Sequence, residues 1–209
     1  MNRTHARYKR ISGIRDPRLV IIASEGEKTE PQYFEELVSH DYFYNPRVQV
    51  EVLRRMDHDS SPKYVLRELN KYKQKFNLTK DDELWIVIDF DRWTNRELNL
   101  VAAECHKRGY HMALSNPCFE LWLLLHLSDV TTYSSSSLTS VCCTKASLKN
   151  KLKELVRSFK GHDDLNLSIF LTKVRQAINN SKKLDKNPQD RWPTSIGTRV
   201  YMLVETIIP

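Results

Sequence analysis

Three carboxylates carry the first hint of chemistry. Glu25 follows the apolar run Leu19-Val20-Ile21-Ile22-Ala23, and Asp89 and Asp91 close a second run, Leu84-Trp85-Ile86-Val87-Ile88. Alternate residues of a strand share a side, so Asp89 and Asp91 point together while Phe90 turns to the core, provided the chain stays extended. If the two strands are neighbours, all three carboxylates converge at one edge of a sheet. Gathered there they repel one another and need a cation, a raised pKa or lysines. Oxygen-only ligands with room for water and phosphate oxygens suit Mg2+ or Mn2+ rather than zinc. Glu25 is one of the three candidate ligands. Lys28, in the same loop, is placed to neutralise developing charge or simply to face water.

The elements that must position these groups read clearly. A strand is expected at 19–24, then a helix whose N-cap is Thr29, with Gln32 completing a T-x-x-Q box and Pro31 in the first turn. The helix is expected to reach about His40. A strand at 47–53 alternates Val48, Val50 and Val52 with polar residues. Ser61-Pro62 opens an amphipathic helix to about Phe76, with Val65, Leu66, Leu69 and Tyr72 on one face. The strand at 84–88 suits the middle of a parallel sheet. A helix at about 95–108 stops at Gly109, a strand follows near 110–114, and Asn116-Pro117 caps and opens a helix to about Leu127. Four βα units in roughly 110 residues imply an α/β fold, with a mostly parallel sheet between layers of helices. In such sheets ligands bind outside the carboxyl ends of the strands.

The helix opened by Asn116-Pro117 is apolar on nearly every side, and Glu120 is its one carboxylate. Buried there, Glu120 needs a partner. It pairs either with an arginine, leaving Asn116 as an N-cap, or with Asn116 it supports the metal site. His126 is rotated away from that face and reads as a helix-end residue. Residues 129–144 are rich in Ser and Thr and read as a linker or loop. A basic helical extension at 145–209 follows, with helices at about 145–159, 168–180 and 196–207. Lys145, Lys149, Lys153 and Arg157 recur at helical spacing; the stripe is a solvated face or a contact for a nucleic-acid backbone.

The net charge of +7 over 209 residues is unevenly spread. Residues 1–18 form a basic tail with six Lys/Arg and one Asp, and residues 145–191 carry twelve basic and five acidic residues. The span 19–144 has fourteen basic and nineteen acidic residues, a balance of −5. An acidic centre between basic flanks suits a metal site working on a polyanion. Four cysteines (Cys105, Cys118, Cys142, Cys143) lack C-x-x-C spacing, which fits a reducing cytoplasm. No apolar run is long enough for a membrane span, and no phosphate-binding G-x-x-x-x-G-K-[ST] occurs.

E-G-x-x-T-E-P-x-Y-F (Glu25 to Phe34), I-D-F-D (88–91), S-N-P-C-F-E-L-W-L-L-L-H (Ser115 to His126) and P-T-S-I-G-T-R-V-Y-M-L-V (193–204) together resemble the RloB-like, or AbiLii-like, family of phage-defence and restriction-associated loci. The resemblance implies a Toprim-like core, here residues 19–128, in which Glu25, Asp89 and Asp91 bind Mg2+, or in which Glu25, its pKa raised by the neighbouring aspartates, serves as a general acid or base. It implies a metal-dependent phosphodiester-cleaving effector working with a partner ATPase of the same defence system. The rival expectation is a non-catalytic partner subunit that binds an ATPase and nucleic acid, with the acidic edge as a docking surface.

Overall fold

The structure is a computed structural model that describes residues 17–39, 42–54, 61–156 and 166–209. Most of the expected basic tail, and Arg157, lie outside the described residues. Four parallel strands, β1 (Arg18–Ser24), β2 (Val48–Leu53), β3 (Glu83–Asp89) and β4 (His111–Asn116), form a sheet in the order β2-β1-β3-β4. A two-residue strand, β5 (Gly197–Thr198), joins β4 antiparallel. Three helices link the strands: α1 (Thr29–Leu37), α2 (Pro62–Lys75) and α3 (Asn95–Arg108). The chain is therefore an α/β protein, with nine helices among the described residues.

Strand alternation divides the core into two layers. Ile21, Ala23, Ile86, Ile88 and Leu114 face α2 and α3 through Val65, Leu69, Leu98 and Val101. Val20, Ile22, Trp85, Val87 and Ala113 face the other way, onto α1 and α4 (Glu120–Leu127). Local signals explain where the helices start and stop. Ser61 Oγ accepts the Tyr64 amide at 3.2 Å in front of α2. Thr94 and Glu97 form a reciprocal capping box on α3, and Gly109 closes that helix in the left-handed region at φ 70°.

The C-terminal part completes the core rather than hanging from it. It comprises α5 (Ser135–Cys142), α6 (Lys145–Leu155), α7 (Ser168–Leu171), α8 (Val174–Leu184) and α9 (Val200–Ile207). Leu148, Leu152, Phe170, Val174, Ile178, Leu203 and Val204 share one buried cluster with Val20, Ile22, Phe34 and Trp122. The central helix of this layer is α4, which packs on α6, α7 and α8; Glu120 to His126 are all buried, hence the unbroken apolar run Leu121–Leu125 between them. His126 fills a polar gap there. Its Nδ1 lies 2.8 Å from the Trp122 carbonyl, which can only accept, so Nε2 accepts the Tyr33 hydroxyl at 3.0 Å.

Several expectations are corrected. Thr29 is already helical, and Lys28 occupies the cap position without a side-chain cap bond. Asn116 ends β4 instead of capping α4, which starts at Glu120, and its amide donates to the Pro193 carbonyl at 3.2 Å. The Ser/Thr-rich stretch is not a bare loop: Ser134 Oγ caps α5 by accepting the Ser137 amide. The expected 168–180 helix is split between α7 and α8, and β5 stands ahead of α9.

Candidate functional site

The strand order makes a switch point. From β1 the chain passes through α1 to β2 on one side, and from β3 through α3 to β4 on the other. The crevice between the carboxyl ends of β1 and β3 is where open α/β sheets bind ligands. Here it is a cleft of about 460 Å³ with Glu25, Glu30, Asp89 and Glu120 in its wall. These four are buried, and the exposed Glu27 lines the cleft as well. Lys145, Lys149, Arg92 and Lys28 also line it.

Each carboxylate is set by a different element. Glu25 extends the β1 ladder through its amide to the Val87 carbonyl at 2.9 Å. Its Oε2 accepts the Asp89 amide at 3.2 Å and Trp93 Nε1 at 2.9 Å, and Arg92 Nη1 lies 3.5 Å from Oε1. Asp89, the last residue of β3, accepts the Phe119 amide at the start of α4 with Oδ1 at 2.8 Å. Its Oδ2 accepts from Lys145 Nζ at 2.9 Å. Glu120, the first residue of α4, has Lys145 Nζ at 3.4 Å and Lys149 Nζ at 3.5 Å, and its Oε2 has no hydrogen-bond partner. Glu30 folds its carboxyl over Gly26, where a Cβ would stand 1.7 Å from Oε2. Glycine is required there by close approach, not by an unusual φ.

Burial is the first cause of the electrostatics. It pushes the Glu25 carboxyl up, against the pull of Trp93, the Asp89 amide, Arg92 and Lys145. Burial and the nearby Glu30 hold Asp89 well above the ordinary aspartate range, with Lys145 opposing. Glu30 is raised to about 7 by burial, with further contributions from Glu120 and Glu25 that its own amide and Lys145 oppose. Burial works against the Lys145 ammonium, but Asp89 and Glu120 outweigh it and raise the pKa. Burial thus disfavours the charged forms of Glu25, Glu30 and Asp89, and a divalent ion in the cleft would stabilise them.

The structure brings Glu25 and Asp89 together, while Asp91 stands outside the cleft wall, still within electrostatic reach of Lys145, Arg92 and Glu120. Beyond Asp89 the chain turns instead of staying extended: the Phe90 and Asp91 amides both reach the Pro117 carbonyl, and the Trp93 amide closes back on Phe90. Asp91 is exposed and is not in the cleft wall. Asn116 is likewise outside it, whereas Lys28 and Glu120 line it. The partners of Glu120 are lysines, not an arginine. Lys145 and Lys149 turn from the expected stripe into the cleft, while Lys153 is exposed. Glu30 and Arg92 were not among the expected site residues; the signal for Glu30 was its place in the same short acidic loop as Glu25.

The oxygen donors fit a hard cation. Ligand atoms of Asp89, Cys118 and Glu120 lie within 4.8 Å of one another, a group that could hold a metal ion. In the metal-free protein burial and the neighbouring Glu120 and Asp89 push the Cys118 thiol up; a hard cation such as Mg2+ or Mn2+ takes the carboxylate oxygens in preference to sulfur. All four cysteines are free, and among the described residues no helix is long and apolar enough to cross a membrane.

Fold and site together define an α/β protein with a carboxylate-rich, lysine-guarded cleft at the switch point of its sheet. Residues 20–207 match the RloB-like protein family, and the chain belongs to it. No curated protein and no solved structure matched it.

Proposed function

We propose that this protein is a metal-dependent phosphodiesterase that cleaves RNA or DNA as an effector of antiviral defence, working with a partner ATPase. The observation that carries this reading is the switch-point cleft, where buried Glu25, Glu30, Asp89 and Glu120 face Lys145, Lys149 and Arg92. Carboxylates to hold a cation and cations to hold phosphate oxygens meet in one cavity, which is what hydrolysis of a polyanion requires. Asp89 and the neighbouring cleft carboxylates would hold Mg2+ or Mn2+, which would supply Lewis-acid polarisation of the scissile phosphate. Arg92, Lys149 and Lys28, around the cleft, bind and orient the non-bridging oxygens. Glu30 lines the same cleft, and burial raises its carboxyl to about 7 in the metal-free protein; it is the group placed to take the proton of the attacking water. The Toprim-like core implied by the sequence motifs agrees with an acidic site at the ends of neighbouring parallel strands.

The test is cleavage of end-labelled tRNA, single-stranded RNA and duplex DNA, with and without the ATPase, in Mn2+ or Mg2+. Cleavage that needs the ion and disappears in folded Asp89→Asn is expected. A protein that cleaves none of these substrates with its ATPase present refutes the reading.

One observation favours a non-catalytic docking subunit instead. Asp89 and Glu120 are already paired with Lys145, as in a structural ion cluster. On that reading Asp89→Asn still binds the ATPase and still protects cells from phage.

A further inference from the structure

We propose that Glu120, rather than Asp91, is the carboxylate that joins Asp89 in the cation site, and that the Lys145 ammonium is the resident charge the divalent ion displaces. This inference rests on reading the cleft as a metal site and assigns the ligands within it.

Two independent observations carry it. The first is backbone geometry. The D-x-D pattern presents both aspartates to one side only on an extended chain, and the chain turns between Phe90 and Trp93. Asp91 therefore leaves the cleft wall, while α4 begins with Glu120 beside Asp89. The Phe119 amide bond to Asp89 Oδ1 ties the residue before Glu120 to the end of β3.

The second is an unmet need. Glu120 is 3 % exposed, and its Oε2 lies in the cavity wall without a hydrogen bond. Lys145 Nζ stands 3.4 Å from that oxygen and 2.9 Å from Asp89 Oδ2, so one cation already spans the pair. An ammonium offers a single charge and a tetrahedral set of donors, whereas Mn2+ or Mg2+ offers two charges and accepts oxygens from several directions. The lysine is anchored in α6, not in the sheet, and its side chain is 32 % exposed, so it can swing outward without moving either carboxylate. Cys118 lies within 4.8 Å of both ligand oxygens, but a hard cation takes the carboxylate oxygens in preference to sulfur.

The experiment measures Mn2+ affinity of the full chain by calorimetry, for wild type, Asp91→Asn, Glu120→Gln and Lys145→Met, with melting temperature recorded with and without Mn2+. Asp91→Asn is expected to keep the wild-type affinity. Glu120→Gln is expected to lose about tenfold or more, since a ligand charge is removed from a low-dielectric site. Lys145→Met supplies a second measurement should Glu120→Gln fold poorly. Without its resident cation the protein melts lower in the absence of metal, and binds Mn2+ about tenfold more tightly. Loss of affinity in Asp91→Asn, its retention in Glu120→Gln, or weaker binding by Lys145→Met overturns the assignment while leaving a metal site. A wild type that binds neither Mn2+ nor Mg2+ overturns the metal reading together with it.

Discussion

Asp89 Oδ1 accepts the amide proton of Phe119 at 2.8 Å, so a carboxylate at the end of a strand closes the first turn of the most deeply buried helix. The same side chain holds Lys145 through its other oxygen, making Asp89 the joint between β3, α4 and α6. Asp89→Asn keeps the shape and an oxygen for Phe119 but turns an amide group toward Lys145. Breaking a partly buried pair in this way is expected to lower stability by about 1–3 kcal/mol. Urea denaturation of the two proteins checks this.

Gly26→Ala separates site from fold. The added Cβ overlaps the Glu30 carboxyl, the far end of a flexible side chain, so Glu30 yields and the backbone does not. The melting temperature is expected to stay near that of wild type. The Glu30 carboxyl should leave its buried seat, and its titration, followed by NMR, should move from about 7 toward the ordinary glutamate value of 4.5.

Glu30 also makes stability depend on pH. Its folded-state pKa of about 7 lies above the 4.5 of the unfolded chain, so between those values the folded protein holds the proton more tightly. As pH rises through that window, metal-free protein loses up to about 3 kcal/mol from this group, and no more above it. Glu30→Gln should remove that component, seen as a smaller stability difference between pH 4.5 and 7 in denaturant titrations.

His126 acts in the opposite sense on the acid side. Burial lowers its pKa from 6.5 to about 3, so the unfolded chain takes up the proton first as pH falls. Stability present above about 6.5 is lost toward pH 3, by as much as about 5 kcal/mol. Below pH 4.5 Glu30 no longer offsets it. A His126→Gln protein should therefore show a shallower acid limb than wild type in melts between pH 5 and 3.

Arg199 anchors the loop before β5. Its Nε donates to Asp185 Oδ2 at 3.0 Å, its Nη2 to the Asn187 carbonyl at 2.8 Å, and its Nη1 to the Asp190 carbonyl, while the Tyr201 hydroxyl also donates to Asp185. Arg199→Leu leaves a buried aspartate with one partner fewer and should cost about 3 kcal/mol in chemical denaturation.

Much of this architecture was legible. Runs such as Leu84–Ile88 mark buried parallel strands, Ser61-Pro62 and Gly109 punctuate helices, and the carboxylates after β1 and β3 follow from where α/β sheets bind. What stayed hidden depends on three-dimensional placement. Helical spacing groups Lys145 and Lys149 on one face but says nothing of where α6 points that face. The turn after Phe90 is held by the Pro117 carbonyl, a partner 27 residues away along the chain, so no local pattern announced that Asp91 would diverge. A two-residue strand such as β5 is too short for any period.

Arg18, at the start of the first strand, hydrogen-bonds the Thr206 carbonyl, and the Asn45 amide reaches the Ile207 carbonyl at 3.0 Å. The first strand is thus completed by a helix residue 188 positions later in the chain. A chain still growing on the ribosome carries a half-built hydrophobic interior, and β4 keeps a bare edge until residues 197–198 arrive to pair with it. Completion of the core therefore waits until residues 197–207 have been made, and a product truncated before them would stick to its own kind rather than form a smaller working protein.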